Sequence, residues 1–314
     1  MELRAIRDGF GEELVELGKR ESRVVVLSGD LEDSTKAAGF KKEFPLRFFN
    51  LGISEQDMVG TAAGMAKEGF IPFVCSFAVF LTNRAYDQIR ITVCYNKSNV
   101  KLIGSHAGIS VGSDGATAQC LEDLALMRAL PNMTVICPAD ALEVKKVVRA
   151  AAEHIGPVYI RTARTASEII TKEETPFAIG KAVTLREGKD LAIIACGIMV
   201  PEALRAAALL EKSGVDAAVI NMATIKPLDK QAVEDAAKKC GCIVTAEEHQ
   251  RNGGLGSAVA EALSCSFPVP VEFVAVEDSF GESGEPEELL SKYGLKDVDI
   301  ARAGAAAVKR KKSC

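Results

Sequence analysis

Short unbroken apolar runs alternate along this chain with longer stretches whose apolar residues recur every three or four positions. Residues 5–20 put Phe10, Leu14 and Leu17 on one helical face, and Val24-Val25-Val26-Leu27 then reads as a parallel strand buried on both faces. The same reading places strands at 47–51, 71–75, 100–104, 133–137 and 157–161. Helices fall at 54–67, near 80–95, at 121–129 and at 140–153, the third stopping before Pro131. A second series has strands at 191–196, 215–220, 242–246 and 271–276, with helices at 200–213, 230–239, 257–264 and near 286–292. Asp229 reads as the N-cap of helix 230–239. The stretch 166–189 mixes acidic and basic residues with Pro176 and Gly180 and reads as a linker. The expected class is α/β: two doubly wound domains with mostly parallel sheets, residues 1–165 and 190–314.

The chain has 314 residues, 48% of them hydrophobic, enough for two sizeable cores. A net charge of −5 argues against a general nucleic-acid surface, which needs a basic face. The one basic run, Lys309-Arg310-Lys311-Lys312, reads as a solvated tail. The nine cysteines, at 75, 94, 120, 137, 196, 240, 242, 265 and 314, mostly sit in apolar patterns. Cys240-Gly241-Cys242 has no second pair and is neither a zinc nor a redox signature. An odd cysteine count without a signal peptide points to a reducing cytoplasm. No apolar run approaches the ~20 residues that a membrane helix needs.

Right-handed crossovers would gather every strand's carboxyl end on one edge, where open α/β sheets bind ligands. Asp30, Ser34, Glu55, Phe77, His106, Asp114 and Arg164 collect there. Each has an ordinary reading by itself. Glu55 is a first-turn helix carboxylate, Asp30 a helix cap, His106 a cap of backbone groups and Asp114 a turn residue before Gly115. Phe77 and Phe80, three apart, are core aromatics, and the arginines surface residues. A single polar edge is harder to explain in that way.

The residues that settle the reading are Gly29-Asp30 before Ser34, Gly52-Ile53-Ser54-Glu55-Gln56, Ser76-Phe77-Ala78-Val79-Phe80 and Ser105-His106-Ala107-Gly108. With them stand Gly112-Ser113-Asp114-Gly115, Ile160-Arg161-Thr162-Ala163-Arg164 and Thr224-Ile225-Lys226-Pro227-Leu228-Asp229. In this order and spacing the chain resembles the C-terminal portion of transketolase, over nearly its whole length. The resemblance implies a pyrimidine-binding thiamine-diphosphate fold followed by a transketolase C-terminal domain. Thiamine-diphosphate enzymes hold the diphosphate and its Mg²⁺ with a Gly-Asp-Gly motif and a later Asn. Here Gly29-Asp30-Leu31 lacks the third glycine, and no metal ligand is expected on this chain.

The resemblance therefore implies the C-terminal subunit of a split transketolase, transferring two-carbon ketol units between phosphosugars of the pentose phosphate pathway. An N-terminal subunit would supply the diphosphate and Mg²⁺ site, this chain would dimerise, and the assembly would be α₂β₂. Neither nucleic acid nor membrane is an expected partner. Glu55 matches the glutamate that bonds the cofactor's aminopyrimidine, and Phe77 and Phe80 match the aromatics against that ring, with Phe80 the preferred contact. Asp30 falls near the thiazolium or the subunit interface. His106 and Asp114 match residues that bind sugar hydroxyls, His106 also as a proton shuttle, while Arg7, Ser34 and Arg164 match the terminal-phosphate site. Asn83 and Ala118 depart from an aromatic and a polar position of the family. In the second domain, Gly253-Gly254-Leu255-Gly256 opens a helix as an anion nest or as a close packing contact, and Glu248 and His249 serve domain contacts. Competing expectations are the beta subunit of a 2-oxo-acid dehydrogenase, a deoxyxylulose-phosphate-synthase-like subunit and a non-catalytic scaffold.

Overall fold

Alternate residues of the first strands face opposite cores. Val24, Val26, Phe73, Ile103 and Ile160 belong to one buried cluster, and Val25, Leu27, Val74, Leu102 and Tyr159 to the other. Strands that bury both faces in this way need helices on both sides. A computed structural model describes residues 2–311 and supplies them.

The first part runs β1 (Leu3–Ala5), α1 (Ile6–Arg20), β2 (Val24–Ser28), α2 (Ala38–Glu43), β3 (Phe48–Asn50), α3 (Glu55–Lys67) and β4 (Ile71–Phe77). It continues through α4 (Tyr86–Gln88), β5 (Lys101–Ser105), α5 (Asp123–Ala129), β6 (Thr134–Ile136), α6 (Glu143–Glu153), β7 (Val158–Thr162) and β8 (Ala166–Glu168). The second part is β9 (Val183–Arg186), β10 (Leu191–Ala195), α7 (Met199–Lys212), β11 (Ala217–Asn221), β12 (Thr224–Lys226), α8 (Lys230–Cys240) and β13 (Ile243–Gln250). It closes with α9 (Leu255–Ser264), β14 (Val271–Val276), α10 (Pro286–Lys292) and α11 (Asp297–Lys311).

Strand order in the larger sheet is β12-β6-β7-β5-β4-β2-β3, all parallel except β12. The smaller sheet runs β14-β13-β10-β11-β9, parallel except β9. The expected α/β class with mostly parallel sheets holds. Asp229 caps α8 as expected, its side chain accepting from the Ala232 N–H.

Several elements differ from the sequence reading. The 166–189 stretch carries two strands: β8 pairs antiparallel with β1, and β9 pairs antiparallel with β11 as an edge of the smaller sheet. Edge strands this short leave little periodicity to read. β12 lies in the second series, yet it pairs with β6 of the first sheet. The expected single helix near 80–95 is two π-helical segments, Phe80–Arg84 and Ile89–Tyr95, flanking the short α4. The basic tail is the last turn of α11, where cations suit the helix's carbonyl end. There Arg310 pairs with Glu272, and the Lys311 Nζ donates to the Cys240 carbonyl at 2.6 Å. Lys312 and Cys314 lie outside the described residues. The eight described cysteines are free thiols, and all but Cys265 are buried. No helix among the described residues is long and apolar enough to cross a membrane.

Candidate active site

The carboxyl ends of β2, β4, β5 and β7 lie side by side, with Phe77, Ser105 and Thr162 in register across three strands. Just past Ser105 the chain turns through His106 at φ 55° and Gly108 at φ 89°. The left-handed region costs a histidine energy, and residues held there cluster at functional sites. The turn lays the His106 ring on Phe77, with centroids 3.8 Å apart and planes 18° from parallel. Phe77 in turn stacks on Phe80 at 5.4 Å and 14°. The Arg84 guanidinium lies 4.1 Å from the centre of the Phe80 ring. Its Nη1 donates to both oxygens of Glu55, at 3.3 and 3.2 Å. The site is thus one continuous column: His106, Phe77, Phe80, Arg84, Glu55.

Glu55 is the first residue of α3. The Asn50 Oδ1 accepts from the Gly52 N–H, and Gly52, at φ 72°, makes the turn into the helix. The exposed N–H groups and dipole of that first turn favour a carboxylate. The side chain is nonetheless only 2% exposed, and the Ser76 Oγ donates to it at 3.3 Å. The buried carboxylate thus has a half-exposed arginine and a buried serine as side-chain partners.

The other end of the column opens on a cleft lined by Arg7, Asp33, Ser34, Lys36, Phe77, His106, Asp114 and Arg164. Arg7 donates to the Ser34 carbonyl at 2.9 Å and to the His106 Nε2 at 3.1 Å. A guanidinium has no acceptor, so Nε2 carries the lone pair and Nδ1 the proton, which it donates to the Ser105 Oγ at 2.9 Å. Burial, with Arg7, Arg164 and Lys36 adding repulsion, lowers the His106 pKa to about 3. His106 is a neutral imidazole at physiological pH. Burial also lowers the Arg7 pKa, and the buried Arg7 Nε has no hydrogen-bond partner among the described residues. Arg164 pairs with Asp114 at 3.0 Å and caps the Val111 carbonyl at 2.9 Å. Three cations thus face two carboxylates around this cleft, a surface suited to an anionic group.

Of the residues singled out from sequence, Arg7, Ser34, Phe77, His106, Asp114 and Arg164 share the cleft. Glu55 and Phe80 join them through the stacked column. Asp30 stands apart: it is exposed, at φ 59°, and its carboxylate accepts from the Asn50 Nδ2 at 2.6 Å. Asn83 donates to Glu122 at 2.9 Å.

Sequence reasoning missed Arg84, Lys36 and Ser76. The spacing of Phe80 and Arg84, one helical turn apart, is the signal that points to the first. Glu248 was expected at a domain contact, and its Oε1 accepts from the Ser110 N–H at 2.5 Å, pinning the segment that follows His106. The glycine cluster at 253–256 is filled from within the chain: the buried Glu247 carboxylate accepts from the Leu255 and Gly256 N–H groups at 2.7 and 2.8 Å. The start of α9 therefore already has its N–H groups taken by a carboxyl of this chain. Among the described residues no three His, Cys, Asp or Glu side chains stand together as a metal site.

Residues 3–168 match the family model of the transketolase pyrimidine-binding domain, and residues 180–300 that of the transketolase C-terminal domain. A provisionally assigned transketolase C-terminal section from Methanocaldococcus jannaschii is 48% identical over 302 residues, 95% of each chain. A 6-deoxy-6-sulfo-D-fructose transketolase subunit from Clostridium sp. is 42% identical over 306 residues, 98% of this chain and 95% of its own. Among solved structures, a split-gene transketolase described as an inactive beta4 tetramer superposes with a TM-score of 0.90 at 47% identity, covering 98% of this chain and 99% of its own.

Proposed function

Because this chain belongs to the transketolase family, we propose that it is the pyrimidine-binding subunit of a two-chain transketolase that moves two-carbon ketol units between phosphosugars. One observation carries the reading: a buried carboxylate, Glu55, is joined by a stacked aromatic column to a cationic cleft. The carboxylate and the flat face of Phe80 fit the aminopyrimidine half of thiamine diphosphate, which needs an acceptor for a ring N–H and a stacking surface. The family holds the diphosphate half with a Gly-Asp-Gly motif, and Gly29-Asp30-Leu31 lacks its third glycine. We assign that half, with its Mg²⁺, to a separate N-terminal chain, in an α₂β₂ assembly.

When bound, thiamine diphosphate supplies the electron sink for breaking and forming the ketose carbon–carbon bond. This chain's residues bind, orient and move protons around it. The Glu55 carboxyl would bond a pyrimidine nitrogen and so hold the ring in place. Phe77 and Phe80 fix the plane of the ring. The neutral His106 offers its Nε2 lone pair to a sugar hydroxyl once Arg7 turns toward the substrate's anionic end. Asp114 accepts from a second hydroxyl. Arg7, Arg164 and the Ser34 segment take the terminal phosphate, which suits guanidinium forks. Lys36, on the same cleft wall, adds positive charge.

A sulfonate-ended sugar is a second reading, because a relative is named for one and the same cations would hold a sulfonate. The test is reconstitution with the diphosphate-binding chain, followed by ketol transfer from xylulose 5-phosphate to ribose 5-phosphate. Glu55→Ala should abolish turnover, and Glu55→Gln should nearly do so, in protein that stays folded. Wild-type rates in Glu55→Ala would sink the proposal. Turnover of sulfofructose in preference to the phosphosugars would select the second reading.

A further inference from the structure

The group that Glu55 now holds has the chemistry of the group that the proposed function requires it to hold. The Arg84 guanidinium is flat and cationic, it lies 4.1 Å from the Phe80 ring centre, and it gives N–H bonds to both Glu55 oxygens. A protonated aminopyrimidine is likewise a flat nitrogen-rich cation that must stack on an aromatic ring and give an N–H to a carboxylate. Both cannot stand between Phe80 and Glu55 at once.

We propose that Arg84 is an internal surrogate for the aminopyrimidine, a positioning residue that keeps Glu55 and Phe80 assembled and is displaced when the cofactor binds. The inference rests on the reading that Glu55 and Phe80 form the cofactor's seat.

Three features support it. The side chain of Arg84 is 46% exposed, against 2% for Glu55, so the arginine has room to leave while the carboxylate does not. Arg84 closes the π-helical segment Phe80–Arg84, and such segments recur at functional sites. Its backbone is anchored separately, because the Arg84 carbonyl accepts from the Gln56 Nε2 at 3.0 Å. The side chain can therefore swing without moving the segment.

A second consequence concerns Glu55. With no planar cation beside it, this buried carboxylate would keep only the 3.3 Å bond from Ser76. An unpaired buried charge is costly, and the site would tend to close around it or admit water. Arg84 thus preserves the site in the empty chain and competes for it in the loaded one.

The competition has a sign that separates surrogate from ligand. If Arg84 occupies the seat most of the time, the apparent affinity for cofactor is reduced by the fraction of sites it leaves open. Thiamine diphosphate with Mg²⁺ is titrated by calorimetry into the complex with the diphosphate-binding chain, and into this chain alone. Arg84→Ala should bind about tenfold more tightly than the wild type if the surrogate fills about nine sites in ten. Arg84→Lys keeps the charge but loses the flat group on Phe80, and should fall between the two. In the empty chain, both variants should lower the unfolding temperature, Arg84→Ala more, while circular dichroism reports the fold intact.

Equal or weaker binding by Arg84→Ala would overturn the inference, since a residue that merely braces the site or touches the cofactor gives that result. Failure of the underlying reading looks different. If Glu55→Ala binds as tightly as the wild type, or no variant binds in either preparation, then Glu55 and Phe80 are not the seat and both conclusions fall. Binding that depends on Glu55 but does not improve in Arg84→Ala removes the surrogate alone.

Discussion

At the residue scale, the cleft separates charge state from identity. His106 is the residue type whose ordinary pKa, 6.5, would make it a switch near neutrality, yet burial and three neighbouring cations push it to about 3. Its titration should therefore be missing from the pH profile of kcat/KM between pH 5 and 8. The imidazole resonances of His106 should stay flat over that range in NMR spectra, and in Arg7→Met the titration should rise by roughly one unit. A wild-type midpoint near 6.5 would contradict the arrangement. The sign for stability follows. Between pH 6.5 and 3 the unfolded chain takes up a proton that the folded chain refuses, so this histidine costs stability as the pH falls through that window. Residue identity at this edge was legible in the sequence: Arg7, Ser34, Phe77, His106, Asp114 and Arg164 do meet. The partners were not. Nothing in the order of residues says that Arg7 will turn its guanidinium onto His106, 99 residues away, or that Arg84 will face Glu55. Those contacts depend on side-chain directions that only packing decides.

At the scale of elements, the segment from His106 to Gly115 is held from outside. Gly108 lies so close to Glu248 that an added Cβ would sit 2.2 Å from its carboxyl carbon, and at φ 89° a side chain is strained there in any case. The Ser110 N–H is satisfied by the same carboxylate, whose pKa burial raises, with Arg161 and the N–H opposing the shift. Glu248→Ala should cost about 2–4 kcal/mol in denaturant unfolding, because a buried N–H is left unpaired beside a cavity. It should also raise KM for sugar phosphate, while Glu248→Gln recovers much of both. Unchanged KM in folded Glu248→Ala would show that the segment holds its shape without the clamp. Long elements were readable by period: Phe10, Leu14 and Leu17 mark α1, and four valines and leucines mark β2. The strands β1, β8 and β12 were not, because Leu3-Arg4-Ala5, Ala166-Ser167-Glu168 and Thr224-Ile225-Lys226 lack the apolar run that marks the equally short β6. Neither were the π-helical segments, whose residues share the composition of any α-helix.

At the scale of the molecule, the two sheets are sewn together. β12 leaves the second series to pair with β6, and the Lys226 Nζ then caps the Arg128 and Leu130 carbonyls at 2.9 and 2.6 Å. Asp140 takes the N–H groups of Ile170 and Thr171 at 2.9 and 2.7 Å, and Glu143 accepts from Asn221 at 2.8 Å. One buried cluster runs without a break from Ile6 and Phe10 to Leu191 and Ile300. A fragment ending at 168 would leave the β6 edge bare and much of that cluster exposed, so it should aggregate where the full chain does not. Size-exclusion chromatography of the fragment decides the point, and a stable folded monomer would count against it. The borrowed strand also constrains heredity. A recombination between related genes that joined one parent's 134–136 to another parent's 224–226 would bring together two strands never selected to pair. Exchanges that keep those triplets from the same parent leave the β6–β12 pairing as it was. In lineages descended from this chain, the two halves should share one genealogy.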